Sequence, residues 1–144
     1  MEPSNELVEL ESTIRTYITP ASFSSVSEIF TFVSPPEALI DLMYAIMISL
    51  FEECEKSWHA IRIKCKGPGI FIQMLIKAQN EKVPIGDDRI KRIKAIIYKT
   101  PGFEDRVRCL ARDAHSLYLW IRDFVKILEL SSIQKSQSSG FFIT

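Results

Sequence analysis

Three cysteines, two histidines and a few neighbouring acids are the residues of this chain whose types could do chemistry. Cys54 and His59, with four residues between them, could form half a metal site, but no second pair at workable spacing follows. Cys65 and Cys109 fall on apolar stripes, where a thiol is expected to pack as a small hydrophobe. His115 lies beside an apolar run at helical spacing and reads as a packed or boundary histidine rather than a general base. Lys66 precedes Gly67-Pro68-Gly69, the reverse of the order in a phosphate-cradling loop, and no Gly-Lys-Ser/Thr follows. Asp87 and Asp88 are adjacent, so on a helix their side chains diverge, and capping accounts for one of them. No nucleophile, no oriented base and no metal constellation emerges. Neither an enzymatic activity nor a cofactor is expected.

The whole-chain properties narrow the class further. With 144 residues, 47% hydrophobic and 25% charged, the chain suits one globular domain with a sizeable core. The odd cysteine count without paired motifs predicts a reducing, intracellular setting. Residues 1–11 carry four glutamates and no base, the opposite of a secretory leader. The most apolar run, Leu42 to Phe51, is far short of the roughly 20 residues a bilayer crossing needs. The net charge of zero hides a division: residues 1–57 hold ten acids against two bases, whereas residues 58–128 hold fifteen bases against seven acids. Either the two parts cancel in the fold, or one face is left able to attract a polyanion.

The elements that must position these residues read as helices throughout. Leu7, Leu10, Ile14 and Tyr17 form a short heptad seam, interrupted by Pro20 and the serines that follow. Ser25 and Glu28 have capping-box spacing ahead of Ile29, Phe30 and Val33. Ser34-Pro35-Pro36-Glu37 predicts a helix start with serine as cap and proline in the first turn. Leu39, Leu42, Met43, Ile46 and Leu50 then line one face as far as about Phe51. Trp58, Ile61 and Cys65 predict a helix that stops at Gly67. Ile70, Phe71, Met74, Leu75 and Ala78 predict the next. After Val83-Pro84-Ile85-Gly86, one of the two aspartates is expected to cap a helix burying Ile90, Ile93 and Ile97. Val107, Leu110, Ala114, Leu117, Ile121, Phe124 and Leu128 keep three-four spacing without a lapse, which predicts one continuous helix from about Glu104 to Leu130. No strand alternation and no repeat is found. The expected fold is all-α: a small helical head on a short antiparallel coiled-coil stub made from the two ends. The expected divisions are a stub and linker over 1–24, a helical domain over 25–130, and a disordered serine-rich tail over 131–144.

Four stretches, in order, resemble the microtubule-binding region at the tip of the dynein heavy-chain stalk. Ser34-Pro35-Pro36, then Met43 and Ala45-Ile46, resembles the proline-initiated helix leaving the ascending stalk strand. Trp58, then Pro68, Phe71 and Met74-Leu75, resembles the family's tryptophan helix and the segment after it. Asn80 through Val83-Pro84 resembles the following connection. Pro101-Gly102-Phe103, then Ala114, Ser116-Leu117 and Leu119-Trp120-Ile121-Arg122, resembles the helix returning into the descending strand, and is the most specific of the four. Together they span about Ser25 to Leu128.

The resemblance implies a non-catalytic head that docks on tubulin through the helix after the double proline, the basic middle segment and the start of the last helix. Here these correspond to Glu37 to Ser49, Arg89 to Lys94 and Arg106 to Arg112. The implied partner-binding residues are Arg89, Lys91, Arg92, Lys94, Arg106, Arg108 and Arg112. Clustered bases facing an acidic filament would speed encounter and make binding salt-sensitive. The implied setting is the cytoplasmic cytoskeleton, with the ciliary axoneme as its specialised form, and the implied partners are microtubules, other dynein subunits or a partner helix. The family's lysine in the first head helix is missing: Ile40 and Asp41 occupy its neighbourhood and no base lies between Pro35 and Phe51. No ATPase ring is expected. That departure, with the acidic N-terminal part, favours the alternative of a structural helical interaction module without tubulin affinity. Nucleic-acid binding is disfavoured because the basic clusters carry no interleaved aromatics.

Overall fold

The computed structural model describes residues 5–111 and 113–142, and among these it contains eight α-helices and no strand. In chain order they are α1 (Asn5–Tyr17), α2 (Phe23–Phe30), α3 (Glu37–Leu50), α4 (Trp58–Cys65), α5 (Pro68–Glu81), α6 (Asp87–Lys99), α7 (Phe103–Arg108) and α8 (Ala114–Phe142). A single 3₁₀ turn, Pro20–Ser22, joins α1 to α2. The all-α expectation is met.

The middle of the fold is α3. Leu39, Leu42, Met43, Ala45, Ile46, Met47 and Ile48 are all fully buried, so this helix is apolar nearly all round, as a helix surrounded by others must be. It packs against α4, α6, α7 and α8. Phe30 of α2 meets Trp58 of α4 and Phe71 of α5, with ring centroids 6.4 and 5.7 Å apart. Both tryptophan N–H groups are satisfied across elements. Trp58 Nε1 donates to the Phe32 carbonyl at 2.9 Å, and Trp120 Nε1 donates to Gln79 Oε1 at 3.0 Å. At the ends of the chain α1 packs along α8, and its Leu7 and Ile14 are buried as the seam predicts. The pair does not stand apart from the head: α1 also touches α5, and Lys82 at the end of α5 pairs with Glu11 at 3.0 Å.

Several boundaries differ from expectation. Residues 104–130 are not one helix. After α7 the chain makes turns in which Cys109 N–H donates to the Arg106 carbonyl and Leu110 N–H to that of Val107, and α8 starts only at Ala114. The 3₁₀-type bonds let α7 lie on α3 and α6 while α8 runs on towards α1. The backbone is helical through Phe142, where the serine-rich composition predicts a disordered tail from Ser131. No proline interrupts that stretch, and serine carries only a modest helix penalty. Ser25 lies inside α2, and the reciprocal arrangement sits six residues earlier, with Thr19 N–H donating to Ser22 Oγ at 3.1 Å. Pro36, not Ser34, occupies the cap position of α3, and Gly86 that of α6. The cap of α4 is conventional: Ser57 Oγ accepts from Ala60 N–H at 3.1 Å.

Candidate partner-binding face

Glu37 to Ser49, expected as a docking surface, is mostly interior. Glu37 is exposed and Ala38, Ile40, Asp41 and Tyr44 are half-buried, whereas the other residues of the stretch are buried. Glu37, Ile40, Asp41 and Tyr44 follow at spacings of three and four, so they form one narrow stripe along the outer side of α3.

Bases from three separate segments border that stripe. Lys56, in the loop before α4, pairs with Asp41 at 2.7 Å. Its pKa is raised, chiefly by the hydrogen bond to Asp41 and further by the nearby Glu37 and Tyr44. Arg92 of α6 donates to the Tyr44 hydroxyl, with its guanidinium 5.9 Å from the ring centroid. Arg106 of α7 lines an open groove of about 560 Å³ together with Pro36, Glu37, Ala38, Asp105, Cys109 and Leu110. The stripe is thus edged with positive charge at its middle and both ends.

The sequence-predicted basic set divides. Arg92 and Arg106 flank the stripe, and Lys91 is exposed on α6; among the described residues neither Lys91 nor Arg106 has an ion-pair partner. Arg89 is turned to the protein, its Nε donating to the Ile48 carbonyl at 2.8 Å, where it satisfies an otherwise unpaired acceptor in the last turn of α3. Burial pushes its pKa down. Lys94 pairs with Glu129 of α8 at 2.8 Å. Arg108 is engaged by Glu104 at 3.3 Å and Asp105 at 3.6 Å. Arg112 lies outside the described residues. The seven bases therefore do not form one continuous patch. Lys56 and Tyr44 were missed: Lys56 is an isolated base in an acidic stretch, and only the helical phase of Glu37, Asp41 and Tyr44 hinted at a stripe it could serve.

The reactive side chains are distributed without a centre. Cys65 is buried against Met47, their sulfurs 3.8 Å apart, and burial pushes its pKa up to about 12. Cys54 is half-buried, and Cys109 is exposed at the groove, not packed as its stripe predicted. His59 is exposed. His115 meets Glu104 at 2.9 Å and stacks near Tyr118, joining the start of α8 to α7. That hydrogen bond, with Arg108 near, holds the Glu104 carboxyl below its ordinary range. Among the described residues no three His, Cys, Asp or Glu side chains gather in a way that could hold a metal ion, and no helix is long and apolar enough to cross a membrane. The chain matches no protein-family model and no curated protein.

Proposed function

We propose that this chain is a non-catalytic docking module that binds the acidic surface of a microtubule through the outer stripe of α3, in the manner of a dynein-stalk head. The observation that carries the reading is the convergence of Lys56, Arg92 and Arg106, from three segments far apart in sequence, on one half-exposed stripe. The stripe supplies modest apolar contact through Ile40 and Tyr44, and the bases supply encounter and orientation. The order of the elements supports the reading: one helix follows the double proline, one begins at Trp58, and a later one carries Leu119-Trp120-Ile121-Arg122. The break between Arg108 and Ala114 removes one support, because the returning strand of the pair is then α8 alone. The short reach of α1 along it argues against force transmission.

Asp41 favours the second reading, a helical interaction module without tubulin affinity. Its carboxylate sits in the middle of the stripe and is offset by one lysine, 2.7 Å away.

Co-sedimentation with microtubules at low salt separates the two. Arg106→Glu is expected to weaken pelleting by about fivefold, the equivalent of a surface charge pair of ~1 kcal/mol, and Asp41→Lys to strengthen it. Arg108→Glu is a poorer probe, since Arg108 already has two acidic partners. A folded wild-type chain that stays in the supernatant defeats the microtubule reading and leaves the module reading standing.

A further inference from the structure

The outward side of α4 is a second charged surface, separate from the α3 stripe. Trp58, Ile61 and Cys65 point into the core, at spacings of three and four. His59, Ile63 and Lys66 lie on the opposite side, with Arg62 and Lys64 on its flanks, and all five are exposed. Ile63 is 60% exposed, an aliphatic side chain with Arg62 and Lys64 on either side of it in the chain and Lys66 three positions on. Among the described residues none of Arg62, Lys64 and Lys66 has an ion-pair partner. Three glutamates, Glu52, Glu53 and Glu55, precede the helix, but they do not close on these bases. Glu52 acts on Arg89 of α6, and Lys64 lies over the Phe51 ring at 4.9 Å.

Bases near the C-terminal end of a helix offset its dipole, which accounts for Arg62 and Lys64. The same argument covers the charge of Lys66 but not its backbone. It caps α4 in the left-handed conformation, with φ of 63°, where glycine carries no steric penalty and a side chain does. Lys82 has the same conformation at the end of α5, but its ammonium is paired with Glu11. At Lys66 the backbone penalty is met without any such pair among the described residues.

We infer that the outward side of α4 is a docking surface for an acidic polypeptide segment, with Arg62, Lys64 and Lys66 taking its carboxylates and Ile63 one apolar side chain. Charge complementarity selects the partner's sign, and the shape of the patch selects its class. A membrane is a poor fit because the helix has eight residues and its apolar side is already committed to the core. A nucleic acid is a poor fit because no exposed Phe, Tyr or Trp lies among these bases for stacking.

The test uses the full chain and a fluorescein-labelled poly-glutamate peptide, followed by fluorescence anisotropy at low and high salt. Saturable binding that weakens with salt is expected. Arg62→Glu combined with Lys66→Glu should reduce it by about tenfold, and Arg15→Glu, at an exposed base on α1 outside both surfaces, should leave it unchanged. Lys66→Gly should weaken binding while raising the thermal unfolding midpoint, an opposition that a purely structural lysine would not give. Absence of saturable binding overturns the inference, as does indifference to the α4 substitutions. Tighter capture by phosphatidylserine vesicles or oligothymidylate than by the peptide overturns it too. The outcome is independent of microtubule pelleting, since the two surfaces are probed by different substitutions.

Discussion

Asp123 is a carboxylate at 2% exposure, and its two oxygens have different partners. Tyr17 of α1 donates its hydroxyl to Oδ2 at 2.8 Å, and Arg122 donates Nε to Oδ1 at 3.0 Å. Burial, then the hydrogen bond to Asp123, keeps the Tyr17 phenol protonated by raising its pKa. A polar pair of this kind beside the apolar contact of two helices specifies how they align, because sliding either helix strands a buried acceptor. Tyr17→Phe removes the donor and keeps the ring, so the expected cost is about 1–3 kcal/mol, that of leaving a buried acceptor short of a partner. Urea unfolding monitored by circular dichroism measures it, and a cost near zero would mean that water replaces the hydroxyl. Neither partner announces itself in the sequence. Tyr17 has the spacing of a seam residue, and Asp123 looks like a solvent-facing acid until α1 is laid against it.

At the scale of elements, the apolar spacings located α3 to α6, because burial of Leu39, Ile61, Phe71 and Ile93 follows directly from their phase. The break after α7 was hidden because Leu110 keeps the three-four rhythm across a turn that contains neither proline nor glycine. What ends α7 is a tertiary demand, its docking on α3, which no local spacing encodes. One local signal was available: the carbonyl of Asp113 accepts the Leu117 N–H at 3.0 Å, and aspartate is a favoured residue just ahead of a helix. The basic face was legible as a charge excess but not as a geometry, since Arg89 and Lys94 turn inward to bind α3 and α8. Across the break, Glu104 and His115 tie α7 to α8. The Glu104 pKa lies below its ordinary 4.5, so its contribution is complete above that value and is lost as pH falls through the lower, folded-state value. Solvent screens a side chain 37% exposed, so the effect is small. Thermal midpoints recorded from neutral pH down through the carboxylate range should fall for the wild type, and the gap between it and Glu104→Gln should close at the acid end. A constant gap would show that the pair does not couple the two helices.

For the molecule as a whole, a single direct ion pair joins the acidic and basic parts among the described residues. Lys82–Glu11 joins them, whereas Lys56–Asp41 lies within the acidic part and Arg108 and Arg122 pair within the basic one. The positive excess is therefore left at the surface, on α4, α6 and α7, and what holds the two ends of the chain together is apolar contact between α1 and α8. Leu7, Ile14 and Ile18 are at most 5% exposed, and at about 1.5–3 kcal/mol each their burial amounts to roughly 5–9 kcal/mol as an upper estimate. Whole-domain stabilities are about 5–15 kcal/mol, so the first helix is a large part of the total. Deleting residues 1–19 should abolish the cooperative thermal transition or lower its midpoint by more than about 10 °C, and should expose the strip of α8 around Asp123 to self-association, visible in sedimentation velocity. A truncated chain that melts at the wild-type midpoint and sediments as a monomer would place the stabilising core entirely within residues 20–142. In that case α1 would be an attached arm, and the helical pair at the base of the head would have no part in holding it.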